Sequence, residues 1–467
     1  MLVDVIDPQF NAIITGLCRQ LDFPQQGLRL DGACIQAKLH VGSLGIQPEL
    51  ASTVLHGVRV NGTTLKCMFR LTGRLAGLET GGITAQVSTE GLEAGVLLEE
   101  AARKVGLDDF GGGEFREGLE MLLKSLREEA RLNARGVFLM RRTVLRLLSN
   151  RLLTEQAFAE APEMGETPVA QPLFVLGFPR TGTTLLHNLL ACDPQARWLR
   201  LWEGLYPAPP PRSLKEDSRI ADVEEWALGF AKVAPRLATA HKLEPRGPEE
   251  CLWLIEHTFT DLIFELRARV PAYSEWLAKH EGDGWVYQYF NRQLRMLGTH
   301  CRGRHWVLKA PRHLAGLAGL LEVFPEARVV QTHRDPAEVL PSLCSLCEIL
   351  QSAATDQVDK QEVGENWRRR LANILKQARA VRKGTREGQF LDVRYADLVR
   401  DPVGTVRDIY EFHGYEYSSE MEAGMRRWLA ENRQHKHGTH KYSLEEYGLE
   451  AAAVRRDFSE YCGEYGL

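Results

Sequence analysis

The sequence predicts an α/β fold: a parallel sheet flanked by helices, preceded by a helical lead-in and a small β-rich N-terminal segment. Three observations predict it. Beyond residue 172, short apolar runs alternate with helical stretches. Residues 173–185, LFVLGFPRTGTTL, pass from an apolar run through a glycine-punctuated loop into a helix. Residues 99–160 repeat apolar side chains at spacings of three and four. At 467 residues, 44% of them apolar, the chain has material for one large domain and an appendage.

Residues 1–98 contain the alternating stretches IQAKLHV and VRVNGTTLKCMFRL, the second with an Asn61-Gly62 turn between two strand-like arms. Their role is not legible. Asn61-Gly62-Thr63 also matches a glycosylation sequon and reads as turn chemistry. Residues 99–170 form the lead-in: FREGLEMLLKSLREEARL and MRRTVLRLLSNRLL are rich in helix formers and opposite charges, and APEMGETPVAQP is a proline-punctuated connector. From 171 to 467 the pattern is LFVLG then TTLLHNLLA, HWVLK then LAGLAGLLEVF, ARVVQTH then AEVLPSLCSL, and QFLDVRY then VGTVRDIYEFH. Strand followed by crossover helix, repeated, is the signature of a parallel sheet.

Charged residues make up 26% and the net charge is −4, so no global basic field points to nucleic acid and an anion site must be built locally. Nine cysteines, odd in number and scattered, do not resemble a secreted disulfide framework. Cys344-Ser-Leu-Cys347 has redox spacing but sits in an apolar stretch and reads as small core residues on a helix face. The first residues, MLVDVIDPQF, carry acid rather than a basic signal region, and no apolar run reaches the length of a membrane span. The expectation is a cytoplasmic protein without a transmembrane segment.

The loop has the frame of a phosphate-cradling P-loop, with Gly177, Gly182 and Thr184 in register and Thr183 where the lysine normally stands. A strand ending at Gly177 and a helix opening near Gly182 aim backbone N–H groups and the helix dipole at one anion. A nucleoside triphosphatase uses the loop lysine on β- and γ-phosphates and needs magnesium. Its absence, with no clear acidic strand end for the metal, fits a donor carrying less charge.

A second constellation lies in RVVQTHRDPAEVLPSL. A strand ends at Arg334, and Asp335-Pro336-x-Glu338 is a capped helix start with proline in the first turn. Ser342, two turns on, shares that face, so Arg334 and Ser342 converge at the C-terminal edge of the sheet, where such folds bind ligands. Pro341 predicts a kink there.

With these residues on the page, FPRTGTTLLHNLL resembles the 5′-phosphosulfate loop of sulfotransferases that use 3′-phosphoadenosine 5′-phosphosulfate (PAPS), and THRDPAEVLPSL resembles their 3′-phosphate element. WVLKAPRHLAGLAGLLEVFPEARVV, VRYADLVRDP and HKHGTHKYSLEEYGL are similar to the bacterial-type branch, and the resemblance covers about residues 99–467. The cytosolic branch carries lysine where this chain has Arg180.

The resemblance implies metal-independent transfer of a sulfuryl group from PAPS to a hydroxyl or amine, releasing PAP. One sulfuryl group can be moved by positioning and electrostatics. It implies that Arg180, Thr181, Gly182, Thr183 and Thr184 hold the 5′-phosphosulfate, Arg334 and Ser342 the 3′-phosphate, and that Tyr395 packs near adenine. His437, Gly438, His440 and Lys441 would form a basic lid; that stretch lacks the cysteine or carboxylate spacing of a metal site. Arg382-Lys383-Gly384 is a further phosphate candidate or a solvated helix end.

Two residues compete to remove the acceptor proton. His313, in Lys309-Ala-Pro-Arg-His313, follows a strand end. Glu250, in EPRGPEECLWLI, stands with Glu249 in what reads as the first turn of a helix opened by Pro248. Lys309, at the strand tip, would stabilise the leaving phosphate. The acceptor class stays open among carbohydrate, lipid and hydroxylated small molecule, as does oligomeric state. A nucleotide kinase or NTPase is disfavoured by the missing lysine. A non-catalytic PAP-binding protein would need the same phosphate contacts without a base.

Overall fold

A computed structural model describes residues 56–60, 63–67, 88–233, 243–432 and 442–467. The chain forms two compact units, Met1–Thr84 and Ala85–Leu467. In the first, β1 (His56–Val60) and β2 (Thr63–Cys67) pair antiparallel with Val60 opposite Thr63, the pairing expected of arms flanking Asn61-Gly62. The turn itself and IQAKLHV lie outside the described residues.

The second unit opens with α1 (Ala94–Val105), α2 (Phe115–Glu128) and α3 (Ala134–Glu160). The two periodic stretches of the lead-in are α2 and α3, and α1 precedes them, starting inside the segment read as β-rich. Asn133 caps α3 by accepting from Gly136 N at 2.8 Å.

Five parallel strands follow: β3 (Leu173–Leu176), β4 (Ala196–Trp198), β5 (His305–Lys309), β6 (Arg328–His333) and β7 (Phe390–Arg394), in the spatial order β4-β5-β3-β6-β7. The expected alternation of strand and helix is therefore a parallel α/β sheet. Along β3, Phe174 and Leu176 enter a core shared with the lead-in helices, while Leu173 and Val175 enter a second core with Leu186, Leu189 and Val403. Both faces are covered, which is why the strand is an uninterrupted apolar run. Three-residue β4 is the strand that pattern reading passed over.

Placing β3 at the centre brings the C-terminal tips of β5, β3 and β6 side by side. From those tips start the glycine loop, the segment after Lys309 and the helix α5 (Pro336–Gln351). Cys344 and Cys347 lie on α5, buried, and burial pushes the Cys347 thiol up to about 12, so they are core residues as expected. No helix among the described residues is long and apolar enough to cross a membrane.

Candidate active site

The loop after β3 is shaped by two glycines that tolerate no side chain. Gly177 has φ 147°, and a Cβ on it would run into Thr332 Oγ1 and lie 2.7 Å from Thr181 Oγ1. Gly182 has φ 92°, and a Cβ there would lie 2.9 Å from Tyr395 Cδ2. Between them Arg180 is held at φ 75°, a region costly for a residue with a side chain, and the residue is exposed. The helix α4 (Thr183–Leu190) begins immediately after Gly182 with no side-chain cap. Its first-turn amides are thus left for an incoming acceptor.

Thr181 is spent internally. Its hydroxyl donates to Phe178 O at 2.7 Å and meets Thr332 Oγ1 at 2.7 Å, and its N–H donates to Phe178 O at 3.3 Å. Thr181, expected among the ligand contacts, thus ties the loop to β6. Thr183 is buried against Gly177, and Thr184 is exposed at the mouth of the helix.

The element after β6 closes onto this loop. Asp335 caps α5 by accepting from Ala337 N at 2.8 Å, with Pro336 in the first turn as expected, and the helical span continues through Pro341. Glu338 accepts from Arg334 Nε at 2.8 Å. Arg334 also donates to Arg180 O at 2.9 Å and lies 4.2 Å over the Tyr395 ring. Arg180 Nε in turn donates to Ser342 Oγ at 3.0 Å. The structure thus brings Arg180, Gly182, Arg334, Ser342 and Tyr395 into one cluster. His437, Gly438, His440 and Lys441 lie outside the described residues.

On the other side of β3, the segment before Glu250 is laid across two strand tips by backbone bonds. Glu249 N donates to Leu199 O and Cys251 N to Lys309 O, each at 2.8 Å. The helix starts only at Leu252, so Glu249 and Glu250 are not in its first turn, contrary to the sequence reading. Pro248 pairs as an isolated bridge with Arg200 instead of opening the helix. Held there, the Glu250 carboxylate forms an ion pair with the buried Lys309 ammonium and keeps 15% of its side chain exposed. Glu249 is buried and accepts from Trp253 Nε1 at 3.1 Å.

His313 is placed differently from the expectation. The turn Arg312–Ala315 buries its imidazole completely, edge-on to Phe174 at 5.1 Å, with Tyr287 Oη 3.1 Å from Nδ1. Burial, with Arg312 and Lys309 nearby, holds its pKa well below the usual histidine value. The structure thus places the candidate base His313 inside the core, away from the exposed side of Glu250. Arg382 is likewise engaged, with a fork to both oxygens of Asp392 at 2.8 Å, so it is a structural partner of β7 rather than a free phosphate contact.

The profile of the sulfotransferase family matches residues 172–419, just over half of the chain. The omega-hydroxy-beta-dihydromenaquinone-9 sulfotransferase Stf3 of Mycobacterium bovis is 27% identical over 357 residues, covering 72% of this chain and 85% of the relative. Sulfotransferase STF1 from Mycobacterium tuberculosis superposes with a TM-score of 0.71 and 31% identity, covering 79% of this chain and 98% of that structure. Sulfotransferase STF9 from Mycobacterium avium does so with a TM-score of 0.75 and 29% identity, over 80% of this chain and 97% of that one. With the loop, the β6 element and these likenesses together, the chain belongs to the family of PAPS-dependent sulfotransferases, enzymes that transfer a sulfuryl group.

Proposed function

We propose that PAPS lies across the tips of β5, β3 and β6, and that Glu250 removes the proton of an acceptor hydroxyl as the sulfuryl group is transferred. The first-turn amides of α4, with Thr183, Thr184 and Arg180, hold the 5′-phosphosulfate. Arg334 and Ser342 hold the 3′-phosphate, and Tyr395 borders the nucleoside. The observation that carries this reading is the bond from Arg180 to Ser342, which joins loop and β6 element across 162 residues of sequence.

The charge of the donor is met by Arg180, Arg334, Lys309 and backbone amides, so no metal is needed in this reading. Lys309 has a second task. It forms an ion pair with Glu250. An anionic donor arriving at the strand tip competes for that ammonium and leaves the Glu250 carboxylate to take the acceptor's proton. Lys309 then faces the oxygen on which charge develops as the sulfuryl group leaves.

The acceptor is taken to be a lipid-like hydroxyl. Beside Glu250, Trp253 meets Trp226 edge-on at 6.1 Å, and Trp226 stacks on Phe230 at 5.3 Å. Aromatic faces suit an apolar body whose only polar end is the reacting group. Stf3, by its name, acts on omega-hydroxy-beta-dihydromenaquinone-9.

The test is transfer of ³⁵S from labelled PAPS to a panel of long-chain, carbohydrate and phenolic hydroxyl acceptors, with and without EDTA. Long-chain acceptors are expected to be preferred and EDTA to leave the rate unchanged; preferred carbohydrate acceptors or loss of rate with chelator would contradict the respective parts. Arg180→Ala is expected to lower turnover by about 10²–10³-fold, and Arg180→Lys to recover part of it, because a point charge keeps the electrostatics but not the fork. Normal turnover in both variants would make Arg180 structural.

A further inference from the structure

We infer that Tyr442, which follows the expected basic lid, is the group through which Ser342 acts on the 3′-phosphate: it donates to the phosphate beside Arg334 and ends a hydrogen-bond chain that begins at Arg180. The inference rests on the donor reading above. Arg180 Nε donates to Ser342 Oγ at 3.0 Å, and Ser342 Oγ donates to Tyr442 Oη at 2.8 Å.

Counting protons along this chain gives the phenol its role. A serine hydroxyl has one proton, and Ser342 gives it to Tyr442. Tyr442 Oη accepts there, so its own proton remains for another partner. Acceptance also polarises the phenol and makes it a better donor. The group that terminates such a chain best is an acceptor with no proton to give, and a phosphate ester beside Ser342 is one. Ser342, if it alone read the phosphate, would have to give up Tyr442. With Tyr442 as the terminal donor, Ser342 keeps both bonds and the phosphate is met at the end of the chain.

The residue is also held in place. Two residues on, Leu444 is buried, and Tyr447 is buried against the helix α6 (Lys360–Arg382), with its hydroxyl donating to Glu348 on α5 at 2.9 Å. A Cβ on Gly364 of α6 would run into Tyr447 O, so the approach is close. The 444–447 anchor fixes the backbone from which Tyr442 reaches Ser342. Since Arg180 sits at the 5′-side of the donor, the chain links the two phosphate sites. AMP, lacking the 3′-phosphate, leaves the phenol proton to water.

Titration calorimetry with PAP and with AMP on the full chain, for the unmodified protein, Tyr442→Phe, Ser342→Ala and the double variant, tests this. Tyr442→Phe is expected to weaken PAP by about tenfold, the effect of one hydrogen bond to a charged group, and to leave AMP affinity unchanged. In the Ser342→Ala background the same change is expected to have much less effect, because the chain is already cut. KM for PAPS is expected to rise in step with the PAP Kd. An unchanged PAP-to-AMP ratio in Tyr442→Phe, or equal weakening of both nucleotides, would overturn the inference while leaving the donor reading standing. A full tenfold effect of Tyr442→Phe without Ser342 would overturn the relay. Unmodified protein that binds PAP and AMP alike would overturn the donor reading itself. If Tyr442→Phe does not fold, Tyr442→Leu is measured in its place: selective weakening of PAP supports the inference, and an unchanged PAP-to-AMP ratio overturns it.

Discussion

Glu250→Gln is expected to bind PAP with near-normal affinity and to lose sulfuryl transfer by about 10²–10⁴-fold, the range for a missing general base. Glutamine keeps the shape and can still accept a hydrogen bond from Lys309, so the strand-tip geometry is preserved and the loss isolates proton removal. Glu250 is the acid at this tip that is partly exposed, whereas Glu249 beside it is buried. His313→Gln is expected to lower stability, since its imidazole fills an aromatic niche between Phe174, Tyr287 and Phe290, but to leave turnover per folded molecule largely intact. The check is single-turnover transfer from ³⁵S-PAPS for both variants under identical conditions. If His313→Gln abolishes transfer with PAP binding intact while Glu250→Gln retains most of it, the base is His313 and the buried placement does not persist in the working enzyme.

Arg370→Met is expected to destabilise the protein by about 3–5 kcal/mol, the effect of removing one partner from a buried ion network. Arg370, 6% exposed, bonds Glu265 at 3.0 and 2.9 Å and Glu281 at 2.9 Å, and both carboxylates are buried as well. Two carboxylates around one guanidinium hold the Arg370 pKa above its ordinary value. Without the arginine they stay buried with no cation between them, and each must be protonated or hydrated at the expense of packing. Ser274 donates to Glu265, but a neutral hydroxyl does not replace a charge. Chemical denaturation gives the midpoint and slope. Replacing Arg370, Glu265 and Glu281 together by apolar residues is expected to recover much of the loss. A single variant within 1 kcal/mol of the unmodified protein would show that the network is hydrated rather than dry.

Much of the architecture was legible because its determinants are local. The runs that became β3, β5 and β6 are buried along nearly their whole length, whereas edge strand β7 keeps Asp392 and Arg394 exposed; the helix after β6 carries its own start signal at Asp335-Pro336. β4 was not legible: Ala196–Trp198 is three residues long, includes an arginine, and pairs only with β5. Arg334 and Ser342 were expected to converge at the C-terminal edge of the sheet; in the structure each bonds Arg180, a link that no local signal announced. Misreadings arose where distant residues override a local signal. Pro248 announces a helix, yet Arg200, Leu199 and Lys309 capture the chain for three more residues. His313 follows a strand tip as a catalytic base would, but whether it faces solvent is decided by Phe174, Tyr287 and Phe290, none of which is adjacent in sequence. Tyr442 lies in HKHGTHKYSLEEYGL, whose likeness to the family drew attention to its basic residues, and the bond from Ser342 distinguishes the tyrosine among them.

The central claim is that the glycine loop and the β6 element together read a nucleotide phosphorylated on both its 5′ and 3′ sides. The most direct test is the thermal stabilisation given by PAP and by AMP, for the unmodified protein and for Arg334→Ala. A ligand that binds only the folded state stabilises by RT ln(1 + [L]/Kd), about 2.7 kcal/mol at a hundred times Kd. PAP is expected to raise the midpoint well above the value reached with the same concentration of AMP. In Arg334→Ala the two are expected to converge, because the lost cation served the group that AMP lacks. Equal shifts from PAP and AMP in the unmodified protein would contradict the account, and so would an Arg334→Ala variant that still prefers PAP to the same degree.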